Sequence, residues 1–318
     1  MANPIAFPSD HLADQTAVVT GASSGIGLVT AQSLAAMGAR VLLVCRSPER
    51  AAAAQASVAA GATGPAPEIY LADLSRPEEV RDMTVRMVSD HPEQHILVNN
   101  AGFLGNPNRI ETPDGMEITV ATNHLGYVGM AAGLLPALRK GAAANAAKTP
   151  AANAGTTIPV SLHGARIVQV SSAVHRMKSA RFDPDDLAFE DGYSGIGSYA
   201  RTKLMNVLFT RELANRLQGT GITVNALHPG TVYTGVARTW PSWFQAVYRL
   251  GRFVMIDARK GARTSIYLAS SPAVAGQTGG YYVRCKPAKS AQWDGEPALR
   301  EALWDKSAVL LGLSPNWT

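Results

Sequence analysis

The sequence predicts an α/β protein built as a doubly wound parallel sheet with helices on both faces. Three observations carry this. Short β-branched runs alternate with stretches of helical spacing from Thr16 to Val283. The strand runs are apolar on both faces, as strands covered on both sides must be. The first strand leads into a glycine-rich turn that opens a helix, and later strand ends carry small polar turns.

Taken in order, Thr16–Thr20 reads as the first strand, and Ile26 to Met37 has helical spacing (Ile26, Val29, Leu34, Met37) that stops at Gly38. Arg40–Cys45 is a second strand, and alanine-rich 48–60 a helix. Glu68–Ala72 is a third strand, and 77–89 a helix with Pro77 in its first turn. A fourth strand falls at His95–Val98, a long helix at Gly115–Leu135, and a fifth strand at Ala165–Ser171. Ser198–Leu217 is a helix, Ile222–Leu227 a strand, Ala258–Leu268 a helix and Tyr281–Val283 a last strand. That makes about seven strands in a single domain spanning 1–318. One stretch breaks the rhythm. Residues 141–155 hold eight alanines with Asn145, Thr149, Pro150 and Asn153, and read as a flexible surface insertion, with a short extra helix as the alternative.

Composition excludes several classes. The chain carries a net charge of +5, yet its basic residues are scattered, which argues against nucleic acid and allows an anionic ligand. Two cysteines, Cys45 and Cys285, make no disulfide framework, and no Cys/His spacing suggests a metal. The N-terminal stretch lacks the apolar core of a signal peptide, and no run is long enough to span a membrane. A cytoplasmic protein is expected.

The turn after the first strand reads Thr20-Gly21-Ala22-Ser23-Ser24-Gly25-Ile26-Gly27. Glycines allow the tight turn and close approach of a pyrophosphate, and the following helix N-terminus supplies free N–H groups. With a strand before it and a helix after it, the turn predicts a nucleotide cradle in a Rossmann-type sheet, with Gly21, Ser23, Ser24, Gly25, Ile26 and Gly27 on the cofactor. At the end of the second strand an acid would select NAD(H) by its ribose hydroxyl. This chain has Arg46 there, which suits a 2′-phosphate, so NADP(H) is expected; Glu49 is the residue that could favour NAD(H). Asp73 and Leu74 follow the third strand, where an adenine would lie. Asn100, Ala101 and Gly102 follow the fourth, leaving room for a ribose.

Tyr199 and Lys203 stand one helical turn apart on one face. A cation beside a phenol favours phenolate and brings its titration toward neutrality, where general acid–base catalysis works best. Alone, such a pair is an ordinary pair of surface neighbours; the nucleotide cradle upstream gives it meaning.

Together these residues resemble the short-chain dehydrogenase/reductase family. The matches are Thr20-Gly21-x-x-x-Gly25-x-Gly27, Asp73, Asn99-Asn100-Ala101-Gly102, Asn123, Ser171-Ser172, Tyr199-x-x-x-Lys203 and Pro229-Gly230, in family order across about residues 15–285. Val170-Ser171-Ser172-Ala173-Val174-His175, Asn123-His124-Leu125-Gly126, the run from Lys203 to Leu213 and His228-Pro229-Gly230 resemble its retinol dehydrogenase-like branch. The resemblance implies that Tyr199 is the general acid–base and that Lys203 lowers its pKa and holds the nicotinamide ribose. It implies that Ser172 (with Ser171 as fallback) hydrogen-bonds the substrate oxygen, and that Asn123 interrupts its helix and anchors a water. The spacing between Ser172 and Tyr199 is longer than in the shortest members.

The resemblance places a substrate lid over 231–257, with Pro229, Gly230, Val232 and Thr234 on the cofactor. Trp240, Trp243, Phe244, Tyr248 and Phe253 in the lid imply a bulky apolar substrate; packing or an oligomer interface is their other use. Met177, Phe182, Leu104 and Tyr193 are further pocket candidates. The family's habit of pairing through its two long helices implies a possible homo-oligomer. The expected activity is an NADP(H)-dependent oxidoreductase on a carbonyl or alcohol of a small lipophilic substrate. The alternatives are an NAD(H)-using dehydrogenase, a non-catalytic nucleotide-binding regulator, and an epimerase or lyase that uses the cofactor transiently.

Overall fold

The computed structural model describes residues 11–148, 164–190, 192–230, 257–291 and 296–318. Eight strands form one sheet in the order β3-β2-β1-β4-β5-β6-β7-β8. These are β1 (Thr16–Thr20), β2 (Arg40–Cys45), β3 (Glu68–Leu71), β4 (Ile96–Asn99), β5 (Ala165–Val170), β6 (Ile222–His228), β7 (Tyr281–Val283) and β8 (Lys286–Pro287). The first seven run parallel, and β8 pairs antiparallel with β7. This is the Rossmann-type α/β fold expected, with the strand order reversing between β1 and β4. Ligands of such sheets bind outside the strand C-termini at that reversal.

Period-two alternation divides the core. Val18, Leu42, Val44, Leu97 and Ile167 face one side, with Val80 and Met87 of α3 (Pro77–Asp90), Val128 and Leu134 of α5 (Gly126–Lys148) and Phe209 of α6 (Gly195–Arg216). Ala17, Val19, Val41, Leu43 and Val98 face the other, with Leu34 of α1 (Gly25–Ala36), Val58 of α2 (Pro48–Ala59) and Leu268 of α7 (Ala258–Ser270). Each large apolar side chain buried this way contributes roughly 1.5–3 kcal/mol. At Gly133 of α5 a Cβ would stand 2.2 Å from Thr84 Oγ1, so the missing side chain lets α3 and α5 approach.

Two expectations need correction. The long helix does not run from Gly115 to Leu135. A short turn, α4 (Ile118–Val120), leads into a π-helical turn (Ala121–Leu125), and α5 then continues past Pro136 to Lys148. Residues 141–148 are therefore the end of a helix rather than a flexible stretch or a separate short helix; residues 149–155 lie outside the described residues. Alanine favours helix, and Asn145, 1% exposed, docks this end: its amide pairs with Gln15 at 2.9 and 3.0 Å and donates to the Gly164 carbonyl at 2.9 Å. The sheet also has an eighth strand, and a helix not expected from the sequence, α8 (Pro297–Leu310), lies on α6. There Trp304 stacks on Phe209 at 5.7 Å and on Trp317 at 4.7 Å, under the Arg216 guanidinium. Part of the α6 surface offered for pairing is thus covered by the chain itself.

Replacing Asn145 with Ala should lower stability by about 1–3 kcal/mol, because the buried Gln15 amide and the partly buried Gly164 carbonyl lose their hydrogen bonds. A urea unfolding midpoint reads this directly, and an unchanged midpoint would show that residues 141–148 are not docked.

Candidate active site and cofactor cradle

The glycine turn sits at the reversal of strand order. Gly21 and Gly25 take left-handed backbone, with φ of +65° and +57°. A Cβ on Gly27 would meet the Gly21 carbonyl oxygen at 2.4 Å and Asn100 Nδ2 at 2.5 Å. Thr20 ties the two sides together. Its Oγ1 accepts from the backbone N–H of Asn100 (2.9 Å) and of Ala101 (3.0 Å), while Asn100 Nδ2 donates to the Thr20 carbonyl (2.9 Å). Ser24 is the N-cap of α1, yet its side chain makes no capping bond, whereas Ser47, Ser194 and Asp257 each cap their own helices. The first N–H groups of α1, flanked by Ser23, Ser24, Gly25 and Ile26, thus lack the intrahelical side-chain acceptor that three other helices have. A pyrophosphate fits that donor set.

Arg46 follows β2 with its side chain 75% exposed and a guanidinium nitrogen 3.5 Å from Asp73. Asp73 itself accepts from the Ser75 N–H and hydroxyl. Glu49 lies in the first turn of α2, where its carboxylate accepts from the Ser47 hydroxyl, which holds its pKa below the usual value. Leu74 is buried among the core side chains of α3 and α5, which leaves its backbone as the part able to meet a cofactor.

Lys203 is the centre of the candidate cluster. It is 3% exposed and held twice at the end of β5: Nζ donates to the Val170 carbonyl at 3.0 Å, and its own carbonyl accepts from the hydroxyl of Ser171, the residue after the strand, at 2.7 Å. Nζ also lies 5.5 Å from the ring centres of Tyr199 and Tyr127. Burial pushes its pKa down to about 7. Tyr199 is half-buried in the first turns of α6, whose N-terminal end is braced by Ser198 donating to the buried Glu117 at 2.8 Å. Ser171 is buried and its hydroxyl is bound to Lys203, so Ser172, half-buried, is the serine left for a substrate.

Asn123 sits in the π turn, where the extra residue per turn breaks the regular ladder. Its side chain accepts from Phe103 N–H (3.1 Å) and donates to the Phe103 carbonyl (3.0 Å) and Thr202 Oγ1 (3.3 Å). Its carbonyl accepts from Asn206 Nδ2 at 2.9 Å. A Cβ on Gly102 would stand 2.9 Å from Asn123 Oδ1 and 3.5 Å from Lys203 Nζ, so the bare glycine keeps the approach to Lys203 open.

The structure thus brings together Asn123, Ser172, Tyr199 and Lys203, and beside them Gly102, with Pro229 and Gly230 at the end of neighbouring β6. Val232, Thr234 and the aromatic lid candidates lie outside the described residues. Phe182 is a core residue packed in one cluster with Leu204 and Leu208 rather than a pocket wall. Sequence reasoning did not single out Thr20 as the tie between strands, nor Glu117; the spacing of a buried acid from a serine across two helices is invisible in one dimension. Among the described residues no cluster of His, Cys, Asp or Glu could hold a metal, and no helix is long and apolar enough to cross a membrane.

Residues 15–160 match the short chain dehydrogenase family. Human retinol dehydrogenase 14 is 36% identical over 315 residues, covering 94% of this chain and 87% of that protein. The chain belongs to the short-chain dehydrogenase/reductase family. Within this family of oxidoreductases it is retinol dehydrogenase-like: human retinol dehydrogenase 12 is 34% identical, with 95% of this chain and 88% of that protein covered. Among solved structures, a Mycobacterium paratuberculosis protein superposes with a TM-score of 0.70 at 27% identity, covering 95% of both chains. NADPH-bound carbonyl reductase from chicken fatty liver shares the fold at a TM-score of 0.62 and 22% identity, covering 87% of this chain and 99% of that one.

The buried Lys203 carries a pH dependence. Between about pH 7 and 10.5 the folded chain holds fewer protons on this group than the unfolded chain, so its contribution to stability rises with pH across that window. Replacing Lys203 with Met removes that dependence. The stability difference between Lys203→Met and wild type should therefore favour the variant most near neutral pH. It should shift toward wild type by on the order of a few kcal/mol as pH rises through the window. A pH-independent difference in urea titrations would show that the ammonium is not desolvated.

Proposed function

We propose that this chain is an NADP(H)-dependent reductase and alcohol dehydrogenase of lipophilic carbonyl compounds, with Tyr199 as the general acid–base. The observation that carries the reading is the desolvated Lys203 ammonium beside the Tyr199 ring, next to the opening that Gly102 leaves. In that position the protonated Lys203 favours the phenolate that Tyr199 becomes when it gives up its proton.

When bound, the reduced nicotinamide supplies a hydride to the carbonyl carbon. This chain's residues do the rest. The Ser172 hydroxyl and the Tyr199 phenol hold the carbonyl oxygen and stabilise its developing negative charge. Tyr199 gives its proton to that oxygen, so that C=O becomes CH–OH. Lys203 compensates the phenolate that remains. The uncapped N-terminus of α1 and the Gly21–Gly27 turn hold the pyrophosphate.

Arg46 supports NADP(H). An exposed guanidinium just after β2 suits a 2′-phosphate, and no acid stands at position 46. The relatives named retinol dehydrogenases support a long apolar alcohol or aldehyde as substrate, as does the aromatic content of 231–257.

Tyr199→Phe should reduce kcat with NADPH and an apolar aldehyde such as nonanal by about 10²–10⁴-fold, with NADPH affinity unchanged. Turnover at the wild-type rate would refute the role of Tyr199. Arg46→Asp should weaken NADPH binding by about 1.5–3 kcal/mol and leave NADH binding unharmed. Equal effects on both cofactors, read by nicotinamide fluorescence titration, would refute the cofactor assignment.

A further inference from the structure

Two histidines that this mechanism does not use converge on a single peptide bond. The peptide between Ser172 and Ala173 has two polar ends, and an imidazole meets each. His175 Nδ1 lies 2.5 Å from the Ser172 carbonyl oxygen. His228 Nδ1 lies 3.2 Å from the Ala173 nitrogen. A carbonyl oxygen only accepts, so His175 Nδ1 must carry a proton; a backbone N–H only donates, so His228 Nδ1 must be bare. His175 is further defined on its far side, where Nε2 accepts from Ala291 N–H at 3.1 Å. Its ring is fully buried and meets the Tyr281 ring edge-on, with centroids 4.7 Å apart.

We propose that His175 and His228 are positioning residues that clamp the Ser172–Ala173 peptide plane and thereby aim the Ser172 hydroxyl at the substrate oxygen. The clamp acts through the backbone. Ser172 has extended dihedrals, φ −155° and ψ 156°, and any rotation of its ψ swings the following peptide, which both rings oppose. Among the described residues the one hydrogen bond to the Ser172 side chain is acceptance from Val174 N–H at 3.5 Å, too long to fix the hydroxyl alone. The two rings come from distant parts of the chain. His175 lies in the 3₁₀ turn Ala173–Arg176 after β5, His228 ends β6, and Ala291 follows β8. The catalytic serine is thus registered against a neighbouring strand and the C-terminal segment at once, which is the support a preorganised site needs. The required bare Nδ1 on His228 agrees with burial, aided by Arg176, His175 and Arg284, pushing that imidazole down to about 4.

The role of the clamp in catalysis rests on Ser172 being the hydroxyl that meets substrate, but its geometry does not, so the test has two arms. In the first, nitrogen-15 NMR of histidine side chains in the free wild-type protein at neutral pH reads the tautomers. The clamp requires the proton on Nδ1 of His175 and on Nε2 of His228; either opposite tautomer, or a charged ring, overturns it. In the second arm, kcat with nonanal and NADPH is measured together with NADPH affinity. His175→Ala and His228→Ala should each lower kcat by about 10- to 100-fold with NADPH affinity unchanged, since a small misplacement of an aimed group is that costly. An asparagine amide can put an N–H or an oxygen near the place of Nδ1, so His175→Asn and His228→Asn should recover most of the lost rate. The double Ala variant should be little slower than the slower single variant, because both rings restrain one peptide. Ala variants with wild-type kcat, or Asn variants as slow as Ala, would overturn the clamp as a catalytic device. If wild type itself leaves nonanal and NADPH unchanged, the reductase reading fails instead, and the tautomers alone decide the clamp.

Discussion

The structure depends on one lysine amine held out of water. Lys203 has exchanged its hydration for the Val170 carbonyl and two aromatic faces, and its main chain is bound to Ser171. An ammonium so placed is unfavourable for folding alone. It persists because α6 is locked from all sides: by β5 at Lys203, by Glu117 at Ser198, by the π turn at Thr202 and Asn206, and by α8 at Phe209. Three of these four locks also fix a candidate residue of the site. The strand ends that hold Lys203 present Ser172, the Glu117 bond braces the turn bearing Tyr199, and the π turn presents Asn123.

The C-terminal part of the chain takes a share in the site without touching it. His124, in the π turn, contacts Asn206 at 3.3 Å and Ser307 of α8 at 2.9 Å, and burial pushes its pKa down to about 4. His175 reaches Ala291 in the segment that precedes α8. Trp304 then seals α8 onto α6. The elements that carry the candidate site therefore lie between the glycine-turn half of the sheet and a C-terminal cover, and both histidines connect the two.

Much of this was legible in one dimension, for identifiable reasons. Parallel strands buried on both faces leave unbroken apolar runs, so all seven parallel strands could be read. The glycine turn, Asn100 and the Tyr199–Lys203 spacing are local features whose chemistry survives without a fold. What could not be read depends on tertiary context. Asn123 was legible only through the family resemblance, because nothing in its local spacing marks the π turn that holds it. Pro136 suggests a helix end, yet α5 runs through it because Asn145 and the small residues beyond it find a docked position. The β7–β8 hairpin turns on Arg284 and Cys285, both with positive φ, where a glycine or asparagine would have announced it. Helix α8 had a readable pattern, with Pro297 at its start and Leu303, Trp304, Ser307 and Ala308 on its buried face. It fell beyond the reach of the motifs that guided the reading. The two histidines were visible as motif members, but their meeting on one peptide is a property of three segments brought together.

The most direct test of the account is product formation by the purified chain with NADPH and two apolar aldehydes, nonanal and all-trans-retinal, with NADH as control. The account predicts loss of nicotinamide absorbance matched mole for mole by the corresponding alcohol, and faster with NADPH than with NADH. Binding of NADPH without alcohol from either aldehyde would contradict it, and would mean that the buried lysine and its tyrosine serve a nucleotide-binding protein rather than a reductase.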